Sequence, residues 1–253
     1  MTFCEIWVAD HPLPVRDHWL APAETRRLAQ ISHPPTRRAS AAAHVLLRLA
    51  LAHHLNISPV DVPLIRHCPQ CDSRQHGPPV APGSGLTVSI AHAENLVLVA
   101  ISNAEALGVD VEHLPLPGTH IPTDTLNLTL SASEHQRLAE LPATEQAAIF
   151  LQWWTRKESV FKAAGDGLPA NPADLDLSQV TGIPFTIRWP TGAPACPYWV
   201  SDLNLTVAHA VASVCLTSAP TTLTIRNANL LLAEETHHWH SSGTSCDATA
   251  ARC

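Results

Sequence analysis

The sequence predicts an α+β protein, because long helical patterns and separate β-rich runs occur in both halves of the chain. Residues 36–55 are rich in alanine and leucine and form one helical pattern. Residues 144–164 contain no proline and form a second. The β-rich runs 86–90 and 96–102 are joined by the short polar segment 92–95, which predicts a hairpin.

The first half begins with Phe3–Ala9, whose partial alternation predicts an edge strand. A short helix is expected to open at Ala21 and to end near Ile31. Pro34 and Pro35 then interrupt the chain before the alanine-rich helix. A proline-rich connection follows this helix and leads to the hairpin.

The second half follows a junction at residues 103–107. A capping box at Ser131-Ala-Ser-Glu134 predicts one helix start. Thr144 is expected to cap the long helix, and Gly165 to end it. The β-rich runs that remain lie near residues 185–189, 198–203, 209–216 and 222–225.

The composition disfavours membrane-spanning, secreted and nucleic-acid-binding proteins. The chain has 253 residues, 45% of them apolar, and a formal net charge of −7. It has no apolar run long enough to cross a membrane and begins without the features of a secretory signal. The acidic balance disfavours a nucleic-acid-binding protein. Seven scattered cysteines favour reduced thiols over a disulfide framework, so we expect a cytoplasmic protein.

Two acidic motifs predict a site for a divalent cation. Asp110 and Glu112 are two residues apart in a β-branched run, so a strand points both carboxylates to one face. Trp154, Glu158 and Lys162 lie at four-residue intervals, so one helix face carries all three. Mg²⁺ prefers carboxylate and phosphate oxygens, and lysines neutralise phosphate charge. Taken alone, the first motif is more typical of a solvated strand edge and the second of a helix surface with salt bridges, so only their combination favours the metal site.

Together the motifs resemble the signature of the 4′-phosphopantetheinyl transferases, of the two-half type that activates nonribosomal peptide and polyketide synthases. That signature is G-[VI]-D-[VI]-E and, about forty to fifty residues later, W-[ST]-x-K-E-A-x-x-K-x-x-G-x-G-L. Residues 108–112 and 154–168 match it, with Ser159 at the usual alanine. An S-H-S motif of the family keeps only its histidine here, as His92 between two alanines. The likeness runs from about Arg26 to about Leu168.

The resemblance implies two pseudo-symmetric halves, each a small, mostly antiparallel sheet packed with a long helix, with the active site in the cleft between them. It assigns residues 1–105 to an N-terminal half with coenzyme A-binding elements and residues 106–233 to a C-terminal half with the metal and the catalytic helix. Residues 234–253 are expected to form a disordered tail. Since one chain completes the cleft, we expect a monomer.

The resemblance also implies a reaction. Family members use Mg²⁺ to transfer the 4′-phosphopantetheine arm of coenzyme A to a serine of an apo acyl or peptidyl carrier protein, and they release 3′,5′-ADP. By this likeness Asp110, Glu112 and Glu158 hold the metal. Lys162 stabilises charge on the departing phosphate. Glu158 is favoured as general base, with Glu112 as the alternative.

The residues expected to contact coenzyme A are Arg27, Ser89, His92, Lys157 and Lys162. Arg27 aligns with a basic residue that binds the nucleotide 3′-phosphate in relatives, and Arg26 is the alternative. His92 is expected to contact a phosphate, aided by the backbone of Ser89. Lys157 either orients the pyrophosphate or pairs with a neighbouring acid.

Two departures from the family pattern leave other functions open. Pro78 stands where the family has a phosphate-binding lysine, and Ala91 replaces a serine. These changes motivate the alternative of a non-catalytic protein that binds coenzyme A or a carrier.

A cysteine motif leaves open a third function, a zinc-dependent interaction module. Cys68 and Cys71 have metal-ligand spacing, and His76 follows, but the usual second Cys-x-x-Cys pair is missing. Histidines 237, 238 and 240, near the carboxyl terminus, are expected to bind metal only incidentally.

Overall fold

The computed structural model describes residues 1–10, 17–69, 71–165, 171–180, 182–187, 196–205 and 209–228. The tail expected at residues 234–253 and the last residues of the second motif, Gly167 and Leu168, lie outside these ranges. Within them, no helix is both long enough and apolar enough to span a bilayer.

Runs of helices and runs of strands follow one another along the described chain and confirm the α+β class. The helices are α1 (Pro22–Ala29), α2 (Pro34–Leu55), α3 (Thr123–Thr129), α4 (Ala132–Ala139) and α5 (Ala143–Ala164). The strands are β1 (Phe3–Ala9), β2 (Ile65–Arg66), β3 (Pro79–Val80), β4 (Thr87–Ala93), β5 (Leu96–Ser102), β6 (Leu107–His113), β7 (Ile183–Ile187), β8 (Cys196–Asp202), β9 (Ala210–Leu216) and β10 (Thr222–Asn227).

The strands form two four-stranded sheets and one short ribbon. The first sheet has the order β10-β1-β5-β4, the second the order β6-β9-β8-β7, and β2 pairs with β3. All pairs are antiparallel except β1 with β10, which is parallel. The proposed boundary at residues 105 and 106 assigns β10 to the second half, whereas this strand pairs with β1 of the first.

Each four-stranded sheet packs against one long helix. Helix α2 lies on β4 and β5, and α5 lies on β6 and β9. The apolar residues of α2 are largely buried, including Leu46 and Leu49. This helix begins at Pro34, two residues before the predicted start, because prolines in a first turn lose no intrahelical hydrogen bond.

The predicted helix ends are correct at two positions and wrong at a third. Ser131 and Glu134 form the predicted capping box before α4. Gly165 ends α5 with φ +73°, as glycine permits. Thr144 does not cap α5, which begins one residue earlier, after Pro142, without a side-chain cap. Helix α3 was not predicted from the sequence.

The two sheets share an apolar core. Ile6 and Leu98 of the first sheet belong to the same buried cluster as Val109 and Val214 of the second. Strand β4 runs beside β6, where the Val109 backbone N–H donates to Ser89 Oγ at 3.1 Å. The contact fixes β6, with its acidic residues, against the first sheet.

Gly108 brings β6 unusually close to α5. A Cβ atom at this position would lie 1.9 Å from the Ser159 carbonyl oxygen and 2.6 Å from the Ala163 backbone nitrogen. Both obstructing atoms belong to helix backbone, which cannot rotate away as a side chain can. The glycine that begins the G-V-D-V-E motif is therefore required by packing.

We predict that Gly108→Ala destabilises the fold. Forcing a methyl group into a closed contact typically costs about 1–3 kcal/mol, and rigid backbone on one side leads to the upper part of that range. Urea unfolding measures the loss, with Glu105→Ala, an exposed position nearby, as the control. An unchanged midpoint for Gly108→Ala would show that β6 and α5 are not in this contact.

Candidate active site

The acidic motifs meet where β6 lies against α5. Asp110 is 7% exposed, and its Oδ1 accepts a hydrogen bond from Lys162 Nζ at 2.7 Å. The same ammonium donates to the Val109 carbonyl oxygen at 3.0 Å. Lys162 of α5 therefore forms hydrogen bonds with β6 at Asp110, the first predicted metal ligand.

Three carboxyl groups act on one another across this contact. Burial raises the pKa values of Asp110, Glu112 and Glu158. The negative charge of Asp110 raises the pKa values of both glutamates further, and Lys162 opposes the shift in each of the three groups. Such coupling requires the three groups to be neighbours, so the structure brings the predicted ligand set together.

The acidic group fits a hard divalent cation. Oδ2 of Asp110 is buried and has no hydrogen-bond partner among the described residues, although a buried carboxylate oxygen normally has one. The donor set consists of oxygen atoms, which Mg²⁺ prefers. Their spacing is wider than that of a closed cluster. Among the described residues, the only group of three or more such side chains with all ligand atoms within 4.8 Å of one another is Cys68, Cys71 and His76.

Trp154 has a polar role that the sequence did not reveal. Its indole N–H lowers the pKa of the Glu112 carboxyl against the effect of burial. Trp154 of α5 therefore lies near the end of β6, beside one of the three carboxyl groups.

A cavity of ≈ 340 Å³ opens beside the acidic group. Both halves line it, with Asp110, Glu112 and Lys162 on one side and Arg27 and His92 on the other. Burial and the nearby charge of Lys162 lower the pKa of His92. The histidine that the resemblance singled out therefore faces the predicted metal ligands.

Two further cavities adjoin this one. One of ≈ 530 Å³ is lined by Glu158 and Lys162 of α5 and by Ser89 and Pro78 of the first half. The other, of ≈ 510 Å³, is lined by four arginines, which are Arg26, Arg27, Arg66 and Arg74. The positive charge of the last cavity is suited to an anionic ligand.

Arg66 is a site residue that the sequence reasoning missed. It lines all three cavities. Its Nη1 donates to the Gly77 carbonyl oxygen at 2.7 Å, and its Nη2 lies 2.9 Å from His44 Nε2. Burial and the charge of Arg27 lower its pKa to about 10. No periodic pattern marks Arg66, which lies in a two-residue strand of the proline-rich connection.

The first-half residues expected at the site occupy different positions around it. Arg27 lines both the acidic and the arginine-lined cavity, whereas Arg26 lines only the latter. The Arg27 guanidinium also donates to the Gln75 carbonyl oxygen at 3.0 Å. Ser89 is buried between the halves, and His92 Nε2 lies 3.1 Å from Ser40 Oγ.

Lys157 does not reach this site, and its expected role with the pyrophosphate is corrected. Its side chain has no exposed surface. Its Nζ lies 2.6 Å from Glu134 Oε2 and 2.7–2.8 Å from the carbonyl oxygens of Thr129, Pro172 and Leu175. Lys157 lies on a different face of α5 from Glu158 and pairs with an acid, which is the alternative the sequence left open.

Comparisons with known proteins show that this chain is similar to one family of enzymes. Residues 106–215 match the family model described as the 4′-phosphopantetheinyl transferase superfamily. The chain is 29% identical over 202 residues to 4′-phosphopantetheinyl transferase HetI of Nostoc sp. (strain PCC 7120), covering 76% of this chain and 78% of HetI. It is 26% identical over 170 residues to the Synechocystis protein slr0495, provisionally named a 4′-phosphopantetheinyl transferase, covering 65% of each.

We predict that Lys157→Ala costs about 3–5 kcal/mol of unfolding free energy, because it leaves the buried Glu134 carboxylate without a counter-charge. The double variant Lys157→Ala with Glu134→Gln should recover part of this loss. Lys162→Ala, at a side chain that is 32% exposed, is the matched control and should cost less. Equal losses for the two lysine variants in urea titrations would contradict the structural role of Lys157.

The raised pKa of Glu158 predicts a pH-dependent stability. Between its ordinary value of 4.5 and its raised value, the folded protein binds more protons than the unfolded chain. Stability linked to this group is therefore present at low pH and falls as pH rises through that window. With divalent cations chelated, Glu158→Gln should gain stability relative to the native chain as pH rises from about 4 to 8. Parallel stability curves, as expected for the exposed control Glu140→Gln, would contradict this.

Proposed function

Because the chain belongs to the 4′-phosphopantetheinyl transferase superfamily, we propose that it transfers the 4′-phosphopantetheine arm of coenzyme A to a serine of an apo acyl or peptidyl carrier protein. The observation that carries the proposal is the coupled group of Asp110, Glu112, Glu158 and Lys162 beside a cavity that both halves line. The second product is 3′,5′-ADP.

The acidic group is proposed to hold Mg²⁺. Asp110, Glu112 and Glu158 are its ligands, and the unsatisfied Oδ2 of Asp110 supports this assignment. When bound, the ion neutralises the pyrophosphate of coenzyme A and polarises a phosphoryl oxygen. Without a cation the three carboxylates repel one another in a buried setting, so a divalent ion relieves a cost that the fold imposes.

In the proposed reaction the serine oxygen of the carrier forms a bond to the β-phosphorus of coenzyme A. The bond from this phosphorus to the bridging oxygen breaks, and that oxygen leaves with 3′,5′-ADP. Glu158 is proposed to accept the serine proton. Glu158 lines the cavity of ≈ 530 Å³ together with Lys162, so in this proposal its carboxyl lies beside the reacting phosphate.

Lys162 is proposed to stabilise negative charge on the departing phosphate. Its ammonium borders both the acidic cavity and the adjoining cavity of ≈ 530 Å³. Its bond to Asp110 holds the ammonium in place before any substrate arrives. Such preorganisation reduces the reorganisation that charge stabilisation would otherwise require.

The nucleotide of coenzyme A is proposed to bind in the arginine-lined cavity. Arg27 and Arg66 are its proposed contacts with the 3′-phosphate. Both line the arginine-lined cavity and also the acidic cavity, so they lie where the nucleotide would meet the pyrophosphate. Guanidinium groups form strong paired hydrogen bonds with phosphate. His92 has a lowered pKa and is proposed to donate to a phosphate as a neutral imidazole.

Arg66 also bears on the departures from the family pattern. Pro78 cannot supply the charge of the missing lysine, but Arg66 lines the same cavity and contacts the carbonyl of the adjacent Gly77. Ala91 belongs to the apolar core shared by the sheets, where a methyl group packs well. The departures therefore do not favour the non-catalytic alternative.

The finer assignment follows from the resemblance of the motifs. We propose that the carriers belong to nonribosomal peptide or polyketide synthases, and hence to secondary metabolism. The cytoplasm is the proposed location, because coenzyme A and apo carriers occur there and the cysteines need no oxidising compartment.

We predict Mg²⁺-dependent transfer of a fluorescent pantetheine arm from a coenzyme A analogue to an apo carrier. Asp110→Asn should abolish transfer while leaving the melting temperature close to that of the native chain, because it removes the charge of one ligand. Asp61→Asn, an exposed aspartate in the first half, should transfer normally. Transfer that survives Asp110→Asn, or that needs no divalent cation, would contradict the assignment.

Arg66→Ala should raise the KM for coenzyme A about tenfold or more with a smaller change in kcat, since it removes a charged hydrogen bond to a remote phosphate. Arg38→Ala, at an exposed arginine of α2, is the matched control. Steady-state kinetics with varied coenzyme A would contradict the role of Arg66 if both variants matched the native enzyme.

A further inference from the structure

We propose that Cys68, Cys71 and His76 form a zinc site at the tip of the β2–β3 hairpin, separate from the acidic group. The two thiols and one imidazole nitrogen can all lie within 4.8 Å of one another. Cys71 Sγ is 3.2 Å from His76 Nε2. A tetrahedral zinc ion with bonds of about 2.0–2.3 Å requires neighbouring ligands about 3.5 Å apart, so small side-chain rotations complete the site.

The backbone of the hairpin explains how the two thiols come together. The Asp72 N–H donates to the Cys68 carbonyl oxygen at 2.8 Å, and the Cys68 N–H donates to the Ser73 carbonyl oxygen at 2.9 Å. Asp72 completes the tight turn with φ +57°, a conformation that few residues other than glycine, asparagine and aspartate adopt. The turn is thus closed by backbone, independently of any metal.

The third ligand, His76, lies shortly before the returning strand β3. Arg66 pairs with Pro79 at the base of the hairpin. Gly77, with φ +97°, lies so close to the outgoing chain that a Cβ there would be 2.3 Å from the His67 carbonyl oxygen. This close crossing sets His76, its immediate neighbour, beside the cysteine turn.

The ligand types select the ion. Thiolate and imidazole ligands favour zinc over magnesium, which takes oxygen ligands. The two metal sites of this chain are therefore chemically distinct, with an oxygen set on β6 and α5 and a sulfur and nitrogen set on the hairpin. Three protein ligands leave the fourth zinc position to water.

The hairpin tip has backbone hydrogen bonds but little apolar packing. Cys68 is buried, whereas none of the other described residues of the tip, 69 and 71–78, is buried. Short segments without an apolar core commonly depend on a metal crosslink for a fixed conformation. The same hairpin carries Arg66 and Pro78, which line the proposed coenzyme A cavities, so the zinc ion would hold one wall of the cleft.

Metal analysis of the full chain tests the site. Protein purified under reducing conditions with added zinc and then passed through gel filtration should retain one zinc ion per chain. Replacement by cobalt should produce sulfur-to-cobalt charge-transfer absorption. Cys71→Ser and His76→Ala should each lose the metal, whereas His76→Cys should keep it, since a thiolate also ligates zinc.

The controls separate this site from other ligands and from misfolding. His120→Ala, at an exposed histidine outside the hairpin, should keep the zinc. Alanine at His237, His238 and His240 together should also keep it. Zinc retained by both Cys71→Ser and His76→Ala, substoichiometric zinc in the native chain, or a Cys68–Cys71 disulfide under reducing conditions would each overturn the proposal. None of these readouts depends on transferase activity.

Discussion

The contact between β6 and α5 at Gly108 is the constraint on which the candidate site depends. Because this residue has no side chain, the strand lies directly on the helix backbone at Ser159 and Ala163. Asp110 follows two residues later on the same strand and meets Lys162 of the helix at 2.7 Å. Gly108 therefore determines how closely the acidic residues of β6 approach helix α5.

Charge on α5 is divided between two faces with opposite roles. On one face, Lys157 is enclosed by oxygen atoms and neutralises Glu134, so its charge serves the fold. On the other, Glu158 joins Asp110 and Glu112 with Lys162 as the cation in direct contact, and the carboxyl pKa values are raised. An excess of buried negative charge is a poor way to stabilise a protein, but it attracts a cation.

Much of the site was predictable from sequence because its residues lie in continuous motifs with clear strand or helix spacing. The long helices and the β4–β5 hairpin were predictable for the same reason. Lys157 was not, because i and i+1 positions on a helix point in different directions and only packing decides which face is buried. Arg66 and the pairing of β10 with β1 arise from contacts between distant segments, which local patterns do not encode.

The most direct test is a crystal structure with coenzyme A and Mn²⁺, whose anomalous scattering locates the ion. Our account predicts an ion bound by Asp110, Glu112 and Glu158 and touching the pyrophosphate, with the 3′-phosphate near Arg27 and Arg66. An ion held by other residues, or coenzyme A bound away from the cavity between β6, α5 and the first half, would contradict it.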